Sequence, residues 1–60
     1  MSTFRFVIYE EKKTWVFDKF LGSKEIAMDY AEYLLDKYDA LKVEANIAVT
    51  AYEPIGMIEK

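Results

Sequence analysis

The side chains with the most scope for chemistry are carboxylates. Glu25, Asp29, Glu32, Asp36 and Asp39 recur at intervals of four, three, four and three residues. On a helix this spacing lines all five along one face, with neighbours about 5–6 Å apart. Paired carboxylates perform acid–base work when burial splits their pKa values, and clustered ones bind hard cations. Neither fits here. The segment Asp36-Lys37-Tyr38-Asp39 has no loop glycine to bend ligands around a calcium ion. The acidic face lies opposite the apolar stripe of the same helix, so it meets water.

The other routes to catalysis close quickly. The chain has no histidine and no cysteine. Nucleophilic catalysis needs an activated Ser, Thr, Cys or Lys beside a base. Ser2 is close to the terminus, Ser23 reads as a helix cap, and every lysine falls at an exposed position. With Gly22 and Gly56 as its two glycines, the sequence holds no phosphate-cradling loop. A chain this short hardly encloses the pocket of about 300–1,000 Å³ that a small ligand wants. No catalytic, metal-binding or cofactor-binding residues are assigned, and the expectation is a non-enzymatic protein.

Two binding surfaces remain. The acidic helix face costs the helix a few tenths of a kcal/mol per like-charged pair. One reading makes it a solvated face that keeps the protein soluble. The other makes it a negative stripe that docks on a basic surface, in the limit an inhibitor that mimics nucleic-acid phosphates. Tyr33, at the helix margin between Asp29 and Asp36, is the aromatic most exposed to such a partner. The second surface is the sheet face turned away from the helix. It carries Val7, Tyr9, Val16, Ala48 and Tyr52, ringed by Arg5, Asp18 and Thr50, with Ile55, Met57 and Ile58 as possible additions. This is more apolar than a face meant only for water.

Composition supports binding over catalysis. Four Phe, five Tyr and one Trp are many for 60 residues. Each ring buries roughly 150–250 Å², so one small core cannot absorb them all. The formal net charge of −3 lacks the basic patch that direct nucleic-acid binding requires, although Tyr9 and Tyr52 are of the type that stacks on bases. No apolar run spans a bilayer. The first residues lack the pattern of a secretory signal, and the absence of cysteine fits a cytoplasmic setting. Without disulfides, a chain of this length gains stability most cheaply by pairing. A homo-oligomer is the expected state, and the expected partner is protein, itself or another.

The elements that position these surfaces follow from periodicity. Residues 3–10 and 14–20 read as strands. Pairing Tyr9 with Thr14 sets Ile8 opposite Trp15, Val7 opposite Val16, Phe6 opposite Phe17 and Arg5 opposite Asp18. The turn lacks the Gly or Asn of a two-residue hairpin, which predicts a four-residue loop. Ser23 caps a helix over 24–41, with Ile26, Ala27, Tyr30, Ala31, Leu34, Tyr38 and Leu41 on its apolar face and Met28 and Leu35 on one flank. Alternation from Val43 to Tyr52 predicts a strand over 43–53, stopped by Pro54, and 54–60 reads as an apolar tail.

The expected fold is a single α+β domain over 1–60, ββαβ. Its three-stranded, mainly antiparallel sheet has strand order 2-1-3, with the helix packed on one face. Order 1-2-3 with a parallel pair is the alternative. Few charges guard the edges formed by strands 2 and 3. This arrangement is common among short phage-encoded inhibitors, an association of fold alone.

Overall fold

A computed structural model describes residues 1–60. It has the order β1 (Ser2–Tyr9), β2 (Thr14–Leu21), α1 (Lys24–Lys37), β3 (Lys42–Ala48) and β4 (Tyr52–Glu59). The fold is α+β, with one helix and one antiparallel sheet. The sheet has four strands in the order β2-β1-β3-β4, not three.

The first hairpin forms where alternation places it. Phe4, Phe6 and Ile8 are fully buried, and Arg5, Val7 and Tyr9 face the other way. The register pairs Tyr9 with Thr14, Ile8 with Trp15, Val7 with Val16, Phe6 with Phe17 and Arg5 with Asp18. Glu10 to Lys13 connect the strands, closed by a 2.8 Å bond from the Glu10 N–H to the Lys13 carbonyl. A slip of one residue would turn Phe4, Phe6 and Ile8 into water.

Ser23 begins α1 with an extended backbone, and its Oγ accepts from the Ile26 N–H at 3.2 Å. The helix stops earlier than 41. Its last helical residue is Lys37 and Tyr38 is the C-cap. Asp39 then adopts φ 50°. Its N–H bonds the Asp36 carbonyl at 3.3 Å, and the Ala40 N–H bonds the Leu35 carbonyl at 3.0 Å. This pair of bonds is the Schellman ending, with aspartate in the left-handed position that glycine usually fills. Leu41 therefore lies beyond the helix and is exposed, while Ala40 is buried.

The segment after Ala48 also differs from expectation. Val49, Thr50 and Ala51 form a turn, and the expected tail is β4, antiparallel to β3. Pro54 does not stop the strand. It pairs with Asn46, while Ala45 pairs with Gly56, so Ile55 is an extra residue in a β-bulge. Proline is tolerated there because β4 is an edge strand and the ladder is already interrupted. β3 becomes an interior strand.

The fourth strand also rotates the helix. α1 lies chiefly over β3 and β4. Its buried residues are Ala27, Ala31, Leu34 and Leu35, while Ile26 is 49% exposed. Leu35 and Met28, on the flank of the expected stripe, turn inward because β4 is beneath them. A Cβ on Gly56 would come within 2.8 Å of the Met28 methyl group, so the bare backbone there admits the Met28 side chain. Phe4, Phe6, Ile8, Val43 and Ala45 complete the core.

Candidate interaction surface

The open face of the sheet is built from every second residue of each strand. From β2 to β4 one row runs Val16, Val7, Glu44 and Met57, and the next runs Asp18, Arg5, Asn46 and Pro54. A further row holds Thr14, Tyr9, Lys42 and Glu59. Val7 and Val16 face each other across the hairpin. Val16 is 54% exposed and Met57 44%.

Ala48 pairs with Tyr52 across the β3–β4 turn. Tyr52 thus reaches the face from β4 rather than as the end of β3. The Arg5 guanidinium carbon lies 4.0 Å from the Tyr52 ring centroid. Because Arg5 is on β1 and Tyr52 on β4, this contact crosses β3. Ile55 and Ile58 do not join the face; both pack against the core. The bulge at Ile55 changes the alternation between Tyr52 and Ile58, which hides their true sides from a period-two reading.

Two pairs of polar side chains on this face are already joined. Arg5 donates to both carboxylate oxygens of Asp18, at 2.8 and 2.9 Å. The hydrogen bond to Arg5 holds the Asp18 carboxyl below the usual carboxylate range, and the same bond raises the Arg5 pKa. The Tyr9 hydroxyl donates to Glu44 Oε1 at 3.0 Å. That bond raises the Tyr9 pKa, with burial and the Glu44 charge acting in the same direction. Lys42 Nζ lies 4.6 Å from the Tyr9 ring centroid, and Asn46 Nδ2 donates to the Arg5 carbonyl at 3.3 Å. Sequence reading places Val7, Tyr9, Val16, Ala48 and Tyr52 together without finding what organises them. Glu44 and Asn46, which tie the polar ring together, give no signal beyond their place in an alternating strand.

The acidic helix face is less regular than its spacing suggests. Glu25, Asp29, Glu32 and Asp36 are exposed on α1. Asp39 lies beyond the helix in the left-handed turn and pairs with the Lys60 ammonium. Tyr33 is half exposed, with its ring centroid 5.5 Å from that of Tyr30. The neighbouring Tyr33 raises the Lys37 pKa, and Lys37 Nζ lies 5.6 Å from the Tyr33 ring centroid. Lys37 thus turns towards the rings of Tyr33 and Tyr38.

The buried side chains are all apolar. No three acidic residues gather in a way that could hold a metal ion, and no helix is long and apolar enough to cross a membrane. No protein-family model, curated protein or solved structure matches this chain.

Proposed function

We propose that this chain is a small non-enzymatic protein-interaction domain that binds through its open sheet face, with a second copy as its simplest partner. One observation carries the reading. Val16 and Val7 face each other, and Met57 ends the same row beyond Glu44, next to two polar pairs, Arg5–Asp18 and Tyr9–Glu44, that are already bonded. Covering such a face removes apolar area from water. It leaves few polar groups without partners, because Arg5–Asp18 and Tyr9–Glu44 keep their bonds when water leaves. The side chains around the row are also held in place beforehand, which lowers the entropy cost of docking.

A charge at the centre of the row should separate the copies. Val7→Lys places an ammonium beside Val16 on a face where Val7 is partly exposed. The expected result is a lower assembly mass by light scattering, with unchanged secondary structure by circular dichroism. Equal masses for the wild type and Val7→Lys would contradict self-association through this face.

A second reading has its own support. Glu25, Asp29, Glu32 and Asp36 make no ion pair within the chain, while Lys37 turns to aromatic rings. These unpaired carboxylates suit docking on a basic surface, as in an inhibitor of a nucleic-acid-binding protein. Salt separates the two readings: apolar association survives it, and binding by a charged stripe weakens steeply.

A further inference from the structure

The two free edges of the sheet are built differently. β4 carries Pro54, the extra residue Ile55 and Gly56, and such features prevent a strand from accepting a neighbour. β2 runs eight residues from Thr14 to Leu21 with no proline, no glycine and no bulge against β1. Its edge is unguarded apart from Asp18 and Lys19, and Asp18 is neutralised by Arg5.

The backbone groups left free on β2 follow from hydrogen-bond phase. The Glu10 N–H bonds the Lys13 carbonyl. Antiparallel alternation then makes Ile8/Trp15, Phe6/Phe17 and Phe4/Lys19 the pairs that exchange bonds. The Tyr9 carbonyl accepts from the Leu41 N–H at 2.8 Å, away from β2, as this phase requires. Val16, Asp18 and Phe20 therefore point their N–H and C=O groups outward from the sheet.

We infer that this edge pairs with the same edge of a second copy, antiparallel and centred on Phe17, joining two four-stranded sheets into one continuous sheet. A two-fold axis normal to the sheet must place residues of the same face opposite one another. The Phe17 register does so, and it sets Val16 against Asp18 of the second copy, both with outward backbone groups. Thr14 then covers Phe20, which is 59% exposed in the single chain. Lys19 faces Trp15 of the second copy. That indole N–H donates to the Glu10 carboxylate, so the ammonium meets both an aromatic ring and a negative charge. The neighbouring registers are worse. Centring on Asp18 opposes two carboxylates and centring on Lys19 opposes two ammoniums, while centring on Val16 shortens the overlap.

This inference rests on reading the chain as an interaction domain, but it uses the strand edge rather than the open face. The test therefore disables the face first. Val7→Lys should fall below the wild-type mass by light scattering but stop at the mass of two chains, which the edge still holds together. Adding Val16→Pro removes an N–H that no bond within the chain uses, and the mass should fall to one chain. Adding Val16→Ala instead loses much of the same side chain but keeps the N–H, and the mass should stay at two. Amide exchange in Val7→Lys gives a check that needs no second substitution, since Val16, Asp18 and Phe20 should be protected and should lose protection on dilution. A single-chain mass for Val7→Lys overturns edge pairing. If the wild type is heavier than that, the open-face reading stands alone. A two-chain mass for Val7→Lys with Val16→Pro, or unprotected outward amides, also overturns it.

Discussion

Arg5 and Asp18 face each other across the first hairpin and are joined by two hydrogen bonds, of 2.8 and 2.9 Å. This fork geometry is the strongest that a carboxylate and a guanidinium can form. Here it also braces Arg5 over the Tyr52 ring. The pair thus ties β2, β1 and β4 together on the open face.

The pair gives the fold a dependence on acid. Arg5 holds the Asp18 carboxyl below its ordinary value. A carboxyl lowered on folding contributes stability above its unfolded pKa, about 3.9 for aspartate. That contribution is lost as pH falls through the lower folded value. Asp18→Asn should therefore melt below the wild type at neutral pH, and the gap should close in acid. Thermal melts followed by circular dichroism across that range check this. A gap of the same size at both ends would mean that the charge of Asp18 is irrelevant.

The helix ending offers a gain in stability. Asp39 occupies the left-handed region at φ 50°, which costs a non-glycine residue about 1–2 kcal/mol, somewhat less for aspartate. Asp39→Gly removes that cost. It also removes the exposed pair with Lys60, which contributes about 0–1 kcal/mol. The net expectation is a stabilisation of up to about 1 kcal/mol. For a chain of this size the melting point shifts by about 4–8 °C per kcal/mol. A lower melting point would show that the Lys60 pair outweighs the backbone strain.

The core should be sensitive in proportion to burial. Phe6 is fully buried, and its ring centroid lies 5.4 Å from that of Tyr30. Phe6→Ala should cost about 3–5 kcal/mol, a large share of the stability of so small a chain. Val16→Ala, at an exposed position, should cost no more than about 0.5 kcal/mol in the single chain. Urea unfolding at low protein concentration compares the two, and equal midpoints would contradict the assigned faces.

The hairpin is legible in the sequence because two constraints agree. Alternation puts Phe4, Phe6 and Ile8 on one side, and opposite charges at Arg5 and Asp18 select one register. The fourth strand is hidden for a physical reason. Pro54 normally ends a strand, and the extra residue at Ile55 breaks the alternation on which such readings depend. The helix end is hidden because Asp39 takes the place of the expected glycine. Of the open face, the residues from β1 and β2 follow from the hairpin alone. Tyr52 reaches the face by a turn that the sequence does not announce, since Val49, Thr50 and Ala51 continue the strand pattern.

If this protein binds through its open face, methyl resonances followed on dilution report the contact. The Val7, Val16 and Met57 methyl signals should then move with protein concentration, while those of Ala27 and Leu34, on the buried side of the helix, stay fixed. Signals of Val7, Val16 and Met57 that do not change over the whole concentration range, or changes confined to the helix, would contradict it.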